Sequence, residues 1–492
     1  MAKPADWAVL VYISADDILT NFAVETLKQL KLASGGQIVA AAQVDKNGDR
    51  PAHRFRFPLK PDEIKDSSLD NNRVPIDLID PNIDPVTDTK KDFRNDPEIL
   101  KRGIAEPINL AKFVDWASID PDTGELIAKR FCVVAWGHGV ELLLDEDRLR
   151  TSGDKVARVN RRYLTPVNLR KGLEGTRLLK SGKKFDIVGL DACSMSMVEL
   201  ASELPSCADF MVASQEDVPD VSFPYLKILD GLKREAHGKQ MEGKEVSKTI
   251  AELYLSAYRD YIPAPGSGVR AMTLSSLNLS QVKRVTDPLR SLADGLLAVT
   301  DPKTNMSDKL RKEMFKAILD ARRDSRSFVF GLFVDLFNFC EQLNEKLGSM
   351  APDLSLACSK IREEITEKDD GFVIKNAEGA GKGGKDCHGL SIYFPYRDDD
   401  DTDAFQVLQA LGPDDRPVKG GNRPAKGGNR PAKERTARIE ELETDFDQLT
   451  EFKDTNWMQF IKQGWSRVLT AEEPENLDLR YSGQQVAKNL AA

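Results

Sequence analysis

Two runs constrain the fold more than anything else in this chain. "RFCVVAWGHG" at 130–139 and "KFDIVGLDAC" at 184–193 are β-prone, largely apolar on both alternating faces, and each has a polar residue at its carboxyl end. A strand that is apolar on both faces must be covered on both, as in the centre of a parallel sheet lined by helices. Ligands in open α/β sheets bind beyond the carboxyl ends of such strands. His138, set between Gly137 and Gly139, and Cys193 are therefore expected at two strand tips on that edge.

The surrounding sequence supports the same class. "WAVLVYIS" (7–14) reads as a first strand, "NFAVETLKQLKLA" (21–33) as an amphipathic helix, and "GQIVAAAQVD" with "AHRFRF" as two strands joined by a turn. "DKNGDR" at that turn spaces oxygens like the start of a calcium loop, but Arg50 stands where glycine is needed, so it reads as a hairpin. A helix is expected through 97–117. Thr165 followed by Pro166 marks a cap and first-turn proline, so 166–175 reads as a short helix closed by Gly175. The polar, arginine-rich 145–163 before it reads as a loop. The expected architecture is an α/β three-layer sandwich with a mainly parallel central sheet over 1–275. An α+β, mostly helical extension over 276–492 follows, with a Gly/Pro/Lys-rich flexible tether at 412–436.

With 492 residues, 40% of them apolar, the chain is long enough for a sizeable core. Its formal charge of -9 disfavours a nucleic-acid partner. The opening apolar run is too short and too β-rich for a secretion signal, and "SFVFGLFVDLFNFC" (327–340), interrupted by Asp335 and Asn338, is no membrane span. The six cysteines contain no CxxC, which suits reduced thiols in the cytoplasm.

A thiol is mostly protonated at neutral pH, and an adjacent imidazole shifts it toward the nucleophilic thiolate. Cys193 as nucleophile and His138 as general acid/base would make such a unit, with the amides of Gly139 and Cys193 as donors to an oxyanion. The plainer alternative is a small core cysteine and a turn histidine.

The match extends beyond two residues. "VVAWGHG" followed by "DIVGLDACSMSMVELASEL" resembles the clostripain family of cysteine peptidases, in the caspase-like clan. "AVLVYISADDILTNFAVETL", "MVASQEDVPDVSFPY", "GLSIYFP" and "DFDQLTEFKDTNWMQFI" are similar to other family segments, leaving 58–96 and 398–440 uncovered. The resemblance implies a caspase-like fold and endopeptidase activity by a Cys-His dyad after arginine or lysine. Asp191 lies two residues before Cys193 on the same strand face, where a carboxylate would pair with a basic side chain; its alternative role is a cap for the following helix. Glu216, Asp217 and Asp220 are further candidates for the same pocket, against a plain reading as a solvated loop.

Family members are made as zymogens cleaved between the catalytic residues. Arg148, Arg150, Lys155, Arg158, Arg161 and Arg162 supply basic sites there, so self-cleavage or an upstream protease is expected to activate a restrained precursor in an intracellular regulatory or defence cascade. Partners are then basic protein or peptide substrates and a regulatory protein, without nucleic acid or membrane. No cofactor is needed for the chemistry; calcium is a possible activator by family resemblance, with Asp398–Asp401 as an acidic run that could hold it, against the plainer reading of a solvated charge run leading into a helix at 404–411.

Two rivals belong to other classes. "GAGKGGKD" at 379–386 nearly fits a phosphate loop, but Asp386 replaces the required hydroxyl and a strand follows where a helix should open. An inactive caspase-like scaffold is the second. His388 of the adjacent Cys387-His388 pair begins a strand rather than ending one, and His53 and His237 have no recognisable partner in the sequence.

Overall fold

The computed structural model describes residues 4–15, 19–46, 53–57, 105–139, 144–150, 156–219, 222–235, 241–258, 272–328, 331–378, 387–395 and 446–471. The chain divides into two compact units, 1–285 with 364–391 and 286–363 with 392–492.

In chain order the strands are β1 (Ala5–Ala15), β2 (Ile38–Lys46), β3 (His53–Phe57), β4 (Ala128–Trp136), β5 (Leu144–Arg150), β6 (Val156–Tyr163), β7 (Phe185–Asp191), β8 (Ala208–Ala213), β9 (Thr273–Asn278), β10 (Ser327–Phe328), β11 (Phe333–Asp335), β12 (Val373–Glu378) and β13 (Ser391–Tyr393). The first unit is built on an eight-stranded sheet in the order β12-β9-β8-β7-β4-β1-β2-β3. The five strands β8, β7, β4, β1 and β2 run parallel, and β3, β9 and β12 are antiparallel to their neighbours at the two sides. Every residue of β7 is buried, as are the last six of β4, in keeping with coverage on both faces.

Helices supply that coverage: α1 (Thr20–Ala33), α2 (Pro107–Ser118), α3 (Pro166–Glu174), α4 (Val198–Glu203), α5 (Tyr225–Glu235) and α6 (Gly243–Ala257). Trp7, Val9, Val11 and Ile13 pack into one core with Leu27 and Leu30 of α1, Leu229 of α5 and Ile250 of α6. Burying each such side chain contributes about 1.5–3 kcal/mol. Residues of opposite parity face the other layer, where Tyr12 meets Phe113 of α2 with ring centroids 5.6 Å apart. Sequence decides where these helices begin. Thr165 caps α3 by accepting the Asn168 N–H at 3.2 Å with Pro166 in the first turn, and Pro107 likewise opens α2. The helix expected over 97–117 therefore begins only at Pro107, because Glu106 before it is extended; residues 97–104 lie outside the described residues.

The second unit holds most of α7 (Lys283–Thr300) and α10 (Pro352–Ile365), together with α8 (Asp308–Asp324) and α9 (Leu336–Leu347). Asp335, which interrupts the apolar run 327–340, caps α9 by accepting the Asn338 N–H at 2.7 Å. Phe394 is the centre of an aromatic cluster, with Trp465 at 4.8 Å, Phe339 at 5.1 Å and Trp457 at 5.3 Å.

Two readings change. The region 145–163 is not a loop throughout: β5 and β6 form an antiparallel hairpin, with Asp145 opposite Arg162 and Glu146 opposite Arg161 in register. Acidic positions facing basic ones favour such pairing, a pattern already present in the sequence. The boundary at 275 also misses a return. Residues 364–391 rejoin the first unit because β12 pairs with β9. The tether 412–436, the acidic run 398–401 and the 379–386 segment lie outside the described residues.

Candidate active site

The strands that carry the two chemistry-bearing residues are direct neighbours. β4 pairs with β7 so that Trp136 lies opposite Asp191, and the Gly137 N–H donates to the Asp191 carbonyl at 3.2 Å. Beyond that pair the two chains turn toward each other. A methyl group placed on Gly139 would lie 1.7 Å from the Cys193 carbonyl oxygen and 2.4 Å from its nitrogen, so the two backbones are in direct contact and only glycine fits. This contact brings the Gly139 and Cys193 main chains together, and His138, next to Gly139 in sequence, is half-buried.

Cys193 differs from the other cysteines. It is the single thiol of six that is not buried. Burial pushes the Cys132 thiol up to about 12, and burial with the Glu174 and Glu203 charges nearby, partly offset by Ser206, takes Cys207 to about 11. Cys340 is also raised, by burial and by the adjoining Cys358. Those thiols are held protonated and inaccessible. Around Cys193 the sulfur accepts the Val218 N–H at 3.4 Å and lies 3.8 Å from the Val218 carbonyl. The next residue, Ser194, takes a left-handed conformation (φ 56°) and donates its N–H to the Glu216 carbonyl at 3.0 Å. A non-glycine residue in that conformation carries backbone strain, which clusters at functional turns.

Asp191 is placed where neither sequence reading put it. Its side chain is only 3% exposed. It accepts from the Ser222 hydroxyl, from the Phe223 N–H at 3.1 Å and from the Tyr225 hydroxyl at 2.7 Å. Nor does it cap α4, which begins seven residues later, at Val198. Burial raises its carboxyl to about 6 despite those donors. Trp136 donates its indole N–H to the Ser222 hydroxyl and Tyr258 its hydroxyl to the Ser222 carbonyl, so the 222–225 turn is bolted to both strand tips.

Of the other acids, Glu216 is buried and Asp217 half-buried; Asp220 lies outside the described residues. Arg148 and Arg150 sit on β5, and Arg158, Arg161 and Arg162 on β6, while Lys155 lies outside the described residues. Cys387 is buried. Among the described residues no group of three or more His, Cys, Asp or Glu side chains is placed to hold a metal ion, and no helix is long and apolar enough to cross a membrane.

Sequence reasoning missed Val218, Ser222 and Tyr225. The stretch "EDVPDVSFPY" drew attention through its acids, yet its main chain and hydroxyls meet the sulfur and Asp191. Pro219 and Pro224 were the available turn signals.

The mostly parallel sheet between helices, with a half-buried thiol and a half-buried histidine just beyond two adjoining strands, is the fold class of the C11 cysteine proteases. The sequence profile of the clostripain family (peptidase C11) matches residues 89–465, and the chain belongs to that family of cysteine peptidases. Among solved structures, an inactive zymogen C11 protease from Parabacteroides distasonis is similar at 16% identity and a TM-score of 0.50, over 83% of this chain and 96% of that one. A secreted C11 cysteine protease from Bacteroides thetaiotaomicron, in complex with an irreversible peptide inhibitor, matches at 15% identity and a TM-score of 0.47, over 83% and 97%. None of the curated proteins matches.

Proposed function

We propose that this cysteine peptidase cleaves after arginine or lysine through a Cys193–His138 dyad, with the Gly139 and Cys193 amides as oxyanion donors. The observation that carries the reading is the contact between the two turns: Gly139 can hold no side chain because the Cys193 backbone is there. His138 takes the Cys193 proton, the thiolate attacks the scissile carbonyl, and the imidazolium then protonates the leaving amine before water releases the acyl group. A basic preference is supported by the acids beside the strand tips. Asp217 is the more accessible, while Asp191 and Glu216 act from beneath through a poorly solvated interior.

The chain is read as a zymogen, activated by cleavage at a basic residue of 145–163, by itself or by another protease. β5 and β6 pair from Leu144 opposite Tyr163 to Arg150 opposite Val156, so the basic residues of 145–163 lie on and between the two strands of one hairpin. Six cysteines with no disulfide among them suit a cytoplasmic setting, and a regulatory or defence cascade is the corresponding role. Calcium remains a possible activator, with the acidic run 398–401, outside the described residues, as its candidate site, and no step is assigned to it.

The test is incubation of the purified chain followed by amino-terminal sequencing of its fragments. New termini directly after arginine or lysine within 145–163, absent from Cys193→Ala, are expected. An intact chain that also leaves basic peptides uncut would refute the proposal.

A further inference from the structure

The turn that carries Cys193 is held from two sides, and one side comes from nearly two hundred residues further along. Ser196, three residues after Cys193, is buried, as are Gln215, Gly389 and Ser391 or their surroundings. Its N–H donates to the Ser214 carbonyl at 2.8 Å, on the strand-end segment that also accepts Ser194. Its carbonyl accepts both the N–H of Ser391 at 2.8 Å and the Ser391 hydroxyl at 3.0 Å. Its own hydroxyl donates to the Gly389 carbonyl at 2.6 Å. The Gly389 N–H closes the ring on the Gln215 side-chain oxygen at 2.6 Å.

The returning segment is itself anchored to the edge of the sheet. Asn376 of β12 donates to the Cys387 carbonyl at 2.8 Å and accepts from Ser275 of β9 at 3.0 Å. Gly389 has φ 92°, and a side chain there would meet the Ser275 hydroxyl at 2.8 Å, so the segment can follow this path only with glycine. On the other side, Thr273 of β9 accepts the N–H groups of both Gln215 and Glu216 at 3.2 Å. All these residues belong to the first unit.

We infer that Ser196 and Gln215 are positioning residues of the peptidase, and that residues 387–391 form with them a clamp that fixes the Cys193 turn for attack. The inference rests on the reading of Cys193 as nucleophile. Chemically, a turn with a strained Ser194 needs its neighbours over-determined, and a buried ring of hydrogen bonds supplies this at low cost in motion. The clamp contacts no reacting atom. Its loss should move the turn's amides and sulfur relative to a bound carbonyl, leaving substrate affinity and the ionisation of the thiol alone.

The experiment compares Ser196→Ala, Gln215→Leu, Gln215→Glu and Ser391→Ala in the full chain after processing. A peptidyl-arginine substrate gives kcat and KM, and iodoacetamide alkylation of Cys193 against pH reports its ionisation. Gln215→Leu and Ser196→Ala are expected to lower kcat roughly tenfold to hundredfold with KM and the alkylation profile unmoved. Gln215→Glu, which keeps the acceptor oxygen, should recover most of kcat, and Ser391→Ala, which keeps the main-chain bond, should lose least. Unchanged kcat in both Gln215→Leu and Ser196→Ala overturns the clamp. So does a fall in kcat matched by lost alkylation and a lowered unfolding midpoint, which is the mark of a purely structural role. Full activity in Cys193→Ala would instead remove the nucleophile reading itself, whatever the clamp variants do.

Discussion

Gly139→Ala is the substitution for which the structure gives the sharpest expectation. The added methyl would stand 1.7 Å from the Cys193 carbonyl oxygen, whereas ordinary contact begins near 3.4 Å; the two backbones would have to part by about 1.7 Å (3.4 − 1.7). No side chain can yield instead, because the three nearest atoms all belong to the Cys193 main chain. A displacement of about 1 Å in a catalytic constellation costs on the order of a hundredfold in rate, so kcat should fall at least that far, about 2.7 kcal/mol in the barrier. Overpacking also costs about 1–3 kcal/mol of stability. Gly172→Ala is the control: its methyl meets the flexible end of Leu110 at 2.8 Å, on the helical layer away from the strand tips. Steady-state kinetics on a peptidyl-arginine substrate and thermal unfolding of both variants provide the assay. A Gly139→Ala protein with kcat within fivefold of the parent (roughly 1 kcal/mol) and an unchanged midpoint would refute the contact and the site built on it.

Three further outcomes are expected. Asp191 has its carboxyl raised to about 6 by burial, so the folded chain binds its proton more tightly than the unfolded chain; its contribution to stability is full below the unfolded value near pH 4 and is lost as pH rises through about 6, by on the order of 3 kcal/mol. Urea unfolding of the parent and Asp191→Asn from pH 4 to 8 should show the parent losing ground to the variant across that window and not beyond it. Tyr225→Phe removes one donor to that buried carboxylate and should lower stability by about 1–3 kcal/mol, read from the same unfolding curves. Trp457→Ala in the second unit empties a fully buried aromatic site and leaves the Tyr393 carbonyl without its indole donor, so a loss of about 3–5 kcal/mol is expected by calorimetry.

Much of the fold was legible because its signals are local. The apolar character of 131–136 and 185–190 on both faces dictates central strands, and Thr165-Pro166 dictates a helix start, whatever lies around them. The neighbouring placement of the His138 and Cys193 tips followed from those strands plus one crossover. What could not be read depends on long-range pairing. The return of 387–391 to Ser196 is set by β12 joining β9, a pairing between residues about a hundred positions apart with no marker in either strand. Asp191 shows the same limit in a single residue: the donors that its carboxylate meets come from 222–225, about thirty positions away. The hairpin of 144–163 was legible in principle from its opposed acidic and basic positions, which high polarity disguised as a loop.

Under the proposed function one thiol of six, ionised by one imidazole, performs the reaction. The most direct measurement is labelling of the processed chain with a thiol-reactive peptidyl-arginine probe, followed by mapping of the modified peptide. The account predicts one adduct per chain, on Cys193, lost in both His138→Ala and Cys193→Ala. An adduct on any other cysteine, or undiminished labelling without His138, would contradict it.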